Sequence, residues 1–98
     1  MNNVKEFTDI YFIAALLSYG WTLSSSDRKN PNKQKFYFQS EIRPVFVIEG
    51  NEAYSKDVDL DELRNLYMSK RVLLLGTYPD VLKPLKQDII SYRHNDKE

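Results

Sequence analysis

Thr8-Asp9-Ile10-Tyr11-Phe12-Ile13-Ala14-Ala15-Leu16-Leu17-Ser18-Tyr19-Gly20-Trp21 is the stretch whose reading decides the fold. Tyr11, Ala14, Ala15 and Ser18 form one stripe at helical spacing, and Phe12, Ile13, Leu16 and Leu17 widen it until little polar surface remains. A helix of this kind is covered on more than one side. Thr8 is placed to cap it with its hydroxyl, and Phe7 with Phe12 can close as a hydrophobic staple. Gly20 ends the helix in the left-handed conformation, which lets Trp21 begin a strand directly.

Downstream, Trp21-Thr22-Leu23-Ser24-Ser25 alternates apolar with small polar residues, and Phe36-Tyr37-Phe38-Gln39 is dense in rings that suit a pleated surface. The two read as a hairpin. Between them, Asp27 to Gln34 is charged and rich in turn formers, so it projects into solvent. Pro44-Val45-Phe46-Val47-Ile48-Glu49 reads as a third strand, with a short helix as the alternative. Asp59 and Glu62 then spell a capping box, with Val58 and Leu63 as its staple. The second helix follows, with Leu60, Leu63, Leu66 and Tyr67 facing inward and its stripe extending through Val72 to Leu74 or Leu75. Gly76-Thr77-Tyr78-Pro79 stops it, and a strand at Val72 to Leu75 is the alternative. A final helix is expected from about Asp80 to Tyr92, with Pro84 restricting its first turn and a frayed polar tail at 93–98.

Ninety-eight residues suit one domain, 1–98, of class α+β. The expected architecture is a two- or three-stranded antiparallel sheet packed against an N-terminal helix and one or two C-terminal helices. Formal charge is zero, so neither attraction to nucleic acid nor mimicry of it follows from the total. Without cysteine there are no disulfides, thiolate catalysis or sulfur-ligated metals, which fits a cytoplasmic setting. The apolar run Ile10 to Leu17 is far shorter than the roughly 20 residues needed to span a bilayer, and no leader pattern precedes it. No membrane partner is expected.

Asp9, Tyr11, Ala14, Leu16, Leu17 and Gly20, then Phe36-x-Phe38, then Tyr54 and Val58-Asp59 with Leu63, give a pattern that resembles a family of small domains of unknown function carried by phages and bacterial mobile elements. The likeness covers roughly positions 7 to 75, and the segment from Gly76 onward looks like an addition. It implies a helix, hairpin and helix unit from such an element, acting in the host cytoplasm if phage-encoded. It implies no catalytic residues. The family carries a helix between the second strand and the tyrosine, against the strand read at Pro44 to Glu49.

No constellation in the sequence points to an enzyme. His94 sits in a polar tail with nothing to tune it. Asp57-x-Asp59-x-Asp61 has the alternation of a calcium loop, but Glu62 stands where the turn glycine belongs and Met68 where the closing acid belongs. Ser24-Ser25-Ser26 lacks a nucleophile elbow, and the three glycines are isolated, so no phosphate-cradling loop exists. No metal and no cofactor are expected. The candidate binding surface is the basic hairpin loop 28–35, with Arg28, Lys29, Lys33 and Lys35 beside Tyr37. It could contact phosphates while Phe36 or Tyr37 stacks on a base. The alternative is a solvated loop whose lysines block edge pairing. The leading expectation is a small non-enzymatic module that binds a protein partner or a second copy of itself, with accessory nucleic-acid binding through loop 28–35 as the alternative.

Overall fold

The computed structural model of the chain describes residues 4–27, 29 and 34–97. The elements run β1 (Val4–Phe7), α1 (Ile10–Ser18), β2 (Leu23–Asp27), β3 (Lys35–Gln39), β4 (Arg43–Glu49), β5 (Glu52–Val58), α2 (Leu60–Met68) and α3 (Tyr78–Lys97). They form an α+β fold with two small antiparallel sheets, one ordered β1-β3-β2 and the other β4-β5.

The opening helix is capped by Asp9 rather than Thr8: its carboxylate accepts the Tyr11 N–H at 3.0 Å, and the helix starts at Ile10. Phe7 and Phe12 still meet as a staple, edge to face with centroids 5.1 Å apart. Phe12, Ile13, Ala14, Ala15 and Leu16 are all buried. Because successive residues step by about 100°, these five point around the whole helix circumference. At the end, Gly20 N–H donates to Leu17 O at 3.1 Å and Trp21 N–H to Leu16 O at 3.0 Å, with Gly20 at φ 94°. This is a full Schellman closure. It occupies Trp21, whose ring is buried, so β2 begins at Leu23 rather than at Trp21.

In the first sheet, β3 is central, pairing β1 on one edge and β2 on the other. Phe7, Phe36 and Phe38 face the core, while Glu6, Lys35 and Tyr37 share the outer face. β1 is absent from the sequence reading because Val4-Lys5-Glu6-Phe7 is too short and too charged to stand out. Its pairing with β3 creates it.

The stretch from Arg43 to Glu49 is a strand, without the helix that the family resemblance places before Tyr54. Gly50, at φ 64°, and Asn51 turn the chain into β5, and Glu49 pairs with Glu52 across the turn. Val45, Val47 and Val58 face inward and are buried. β5 escaped the sequence reading because its seven residues include four polar ones and no apolar alternation; β4 supplies the ladder that holds it.

Asp59 caps α2, its carboxylate accepting the Glu62 N–H at 2.8 Å. Only half of the expected capping box forms, since the Glu62 carboxylate turns to Lys56 of β5. Val58 and Leu63 both enter the core. α2 ends at Met68 and does not run on toward Gly76. Lys70 N–H donates to Tyr67 O at 3.1 Å and Arg71 N–H to Leu66 O at 2.8 Å, with Lys70 at φ 60°. This is the same closure as at α1, with lysine in the position that glycine normally fills. Val72 then bridges Val47 of β4, so the strand alternative holds at that one residue. α3 starts at Tyr78 rather than Asp80 and extends past Tyr92 to Lys97, with Pro84 inside it. It packs against α1 through Tyr78 and Leu85.

The two closures predict opposite responses in urea unfolding. Gly20→Ala puts a Cβ at φ 94° and costs about 1 kcal/mol or more, although the nearest atom to that Cβ, Arg43 Nη1, lies at an ordinary 3.5 Å. Lys70→Gly relieves the left-handed strain and should gain about 0.5 kcal/mol after the extra freedom of glycine in the unfolded chain is counted. A loss of stability in Lys70→Gly would contradict this account of the α2 end.

Candidate interaction surface

β4 lies between β5 and the short segment 71–73. Ile48 N–H donates to Arg71 O at 2.6 Å and Leu73 N–H to Phe46 O at 2.9 Å, framing the Val47–Val72 bridge. The next bond of an antiparallel ladder would run from Phe46 N–H to Leu73 O. Instead the Tyr19 hydroxyl, just beyond α1, sits between them. It accepts from Phe46 N–H at 3.3 Å and donates to the Leu73 carbonyl. Burial pushes the Tyr19 phenol above its usual range, although its hydrogen bond with Phe46 acts the other way, so the bridge stays protonated at neutral pH. One side chain thus holds α1 to two strands and ends their pairing.

The alternation of β4 that buries Val45 and Val47 turns Pro44, Phe46 and Ile48 outward. Across the ladder Ala53 lies beside Ile48 and Ser55 beside Phe46. On the other side, Leu73 shares this face, one residue from inward Val72. Phe46 is 44% and Leu73 41% exposed. On its β4 side the second sheet therefore carries an apolar outer face, with Ser55 and Asp57 of β5 beside it, and no element among the described residues lies across it. A separate groove of about 400 Å³ lies between the end of α2 and the 72–74 segment, lined by Tyr67, Met68, Lys70, Val72 and Leu74.

Of the sequence-predicted surface, Arg28 and Lys33 lie outside the described residues. Lys29 N–H donates to the Asp27 carboxylate at 3.1 Å in an exposed turn. Lys35 sits on β3 opposite Asp27 and 3.9 Å from the Glu6 carboxylate. Tyr37 is half-buried between Glu6 and Ser25 on the outer face of the first sheet. Phe36 is buried in the core, so of the two rings suggested for base stacking only Tyr37 reaches the surface. Acidic side chains neighbour the two described lysines and reduce the positive field a phosphate would meet. The apolar outer face went unread because its members, Phe46 and Leu73, are far apart in sequence.

Several carboxylates are engaged in structure. Asp9 and Asp59 cap helices, Asp61 pairs with Lys5 at 2.9 Å, and Glu62 pairs with Lys56. Glu41 accepts the Thr22 N–H at 3.0 Å, a bond that lowers its pKa. Asp57, Asp59 and Asp61 serve a strand, a cap and an ion pair and do not converge. Among the described residues no cluster of three or more His, Cys, Asp or Glu is placed to hold a metal ion. Nor is any helix among them long and apolar enough to cross a membrane.

Where α3 meets α1, the Tyr78 hydroxyl donates to Tyr11 O at 3.1 Å, and the Tyr67 phenol acts on it electrostatically. Burial, reinforced by Tyr67, pushes Tyr78 up to about 12 from the usual phenol value near 10.0. A folded-state pKa raised in this way adds stability that is complete below the unfolded value and lost as pH rises through the folded one. Unfolding free energy should therefore fall between about pH 10 and pH 12, and Tyr78→Phe should flatten that decline. An alkaline denaturation series compares them, and identical slopes would remove Tyr78 from the account.

Against this geometry, no protein-family model, no curated protein and no solved structure matches the chain.

Proposed function

We propose that this chain is a small non-enzymatic interaction module that binds a protein partner through the outer face of the β4–β5 sheet. The observation that carries the reading is that face: Phe46, Ile48 and Leu73, with Pro44 and Ala53, form an apolar surface while the other face of β4 already fills the core through Val45 and Val47. Contiguous exposed apolar area of this kind marks protein contact more often than chance. The absence of enzymatic activity is supported by how the ionisable groups are used. Asp9 and Asp59 cap helices, Asp61 and Glu62 pair with lysines, and the shifted phenols lie above their usual range, the wrong direction for a base at neutral pH. The phage or mobile-element setting is part of the proposal on the strength of the residue pattern at Asp9, Gly20, Phe36, Phe38, Tyr54 and Asp59.

Replacing Phe46 with the photo-crosslinking residue p-benzoylphenylalanine in expressing cells tests the face directly. The expected result is a discrete adduct with another polypeptide, absent when the probe is at Gln39 on the first sheet. Leu73→Glu in the same chain should abolish the adduct while leaving stability within about 1 kcal/mol, as for an exposed position. Equal labelling from residues 46 and 39 would reject the outer face. Salt-sensitive binding to DNA or RNA that is lost on replacing Arg28, Lys29, Lys33 and Lys35 with alanine would favour the basic loop instead.

A further inference from the structure

The outer edge of β5 is the longest unpaired sheet edge among the described residues. β2, the edge of the first sheet, is interrupted by a register shift between Leu23 and Ser25, and β1 has four residues. Both features blunt an edge. β5 has seven residues in unbroken register with β4, and Glu52 to Asp57 are all exposed.

The direction of its backbone groups follows from β4. Phe46 and Ile48 bond toward the 71–73 segment, so Val45, Val47 and Glu49 bond toward β5, to Lys56, Tyr54 and Glu52. The N–H and C=O groups of Ala53, Ser55 and Asp57 consequently point away from the sheet, and no described backbone bond reaches them.

We infer that β5 pairs antiparallel with β5 of a second copy of this chain, about a two-fold axis at Tyr54. The inference rests on reading the second sheet as the interaction surface, but uses its edge and leaves its outer face open. In this register Ala53 stands opposite Ser55 of the second copy, twice, and each pair exchanges two backbone hydrogen bonds. Glu52 stands opposite Lys56, also twice, and Asn51 opposite Asp57. The two Tyr54 rings, each 42% exposed in the single chain, meet on the axis. Lys56 already holds Glu62 of its own α2. An ammonium has three donors, so it can take the second carboxylate as well.

Charge selects this register from its neighbours. An axis at Ser55 sets Glu52 against Val58 and Asp57 against Ala53; an axis at Ala53 sets Glu52 against Tyr54 and Lys56 against Gly50. Only the Tyr54 axis turns the charges that would otherwise protect the edge into pairs. The product is one sheet running through both copies, with the two Phe46 faces on the same side.

The chain has no cysteine, so a single introduced thiol reports on the register without ambiguity. Under mild oxidation Tyr54→Cys should give a disulfide-linked dimer, whereas Ala53→Cys and Ser55→Cys should not, since neither residue meets its own copy. Sedimentation of the unmodified chain should show a concentration-dependent monomer–dimer equilibrium. Ser55→Pro removes an outward N–H that β4 does not use, and should leave a monomer with unchanged circular dichroism. Glu52→Lys should weaken the dimer about tenfold, and adding Lys56→Glu in the same chain should restore it. A monomer at every micromolar concentration, a dimer that survives Ser55→Pro, or equal crosslinking at residues 53, 54 and 55 would overturn the inference. Crosslinking from residue 46 to another polypeptide in the Ser55→Pro chain would show that the outer-face reading stands without the dimer, and its loss with the dimer intact would show the reverse.

Discussion

α1 carries apolar side chains around its full circumference, and the rest of the fold is arranged to remove them from water. A helix packed on one sheet buries a stripe and leaves an opposite face for polar residues. Phe12 to Leu16 allow no such face. The first sheet contributes Phe7, Phe36 and Phe38, the second sheet with α2 contributes Val45, Val47, Leu60 and Leu63, and α3 lies against the remaining side. At roughly 1.5–3 kcal/mol for each fully buried large apolar side chain, leaving any one side open would cost several of these contributions at once.

The two helices of similar length that close this core end by the same device with different residues. At α1 glycine takes the left-handed position and Trp21 follows into the core; at α2 lysine takes it and Val72 follows. At α1 the buried residue directly follows the left-handed one, whereas at α2 the exposed Arg71 stands between Lys70 and the buried Val72. The lysine shows that tertiary packing can impose a left-handed residue where local preference alone would not.

Tyr19 links this core to the surface proposed for binding. Its ring packs against the core while its hydroxyl takes the place of a ladder bond between Phe46 and Leu73. Segment 71–73 is thereby limited to a single bridge with β4, and Leu73 is held beside Phe46 instead of pairing onward. Phe46 and Leu73 meet through one direct backbone bond, and the Tyr19 hydroxyl at the end of α1 takes the place of the second.

The sequence by itself determined what depends on near neighbours in the chain. The first helix with its staple and glycine end, the β2–β3 hairpin, the strand at Val45 to Ile48 and the Asp59 cap follow from spacing, capping chemistry and turn residues. Tertiary structure alone decided β1, β5 and the end of α2, because Val4-Lys5-Glu6-Phe7 and Glu52 to Val58 have no strong strand pattern and Lys70 announces no stop. It also decided the candidate surface. Nothing in the sequence pairs Phe46 with Leu73, and only the pleat of β4, with Val45 and Val47 turned inward, leaves them facing outward together. Local backbone preference is written over a few residues, whereas the side of a sheet left uncovered is fixed by how the whole chain shares out its apolar area.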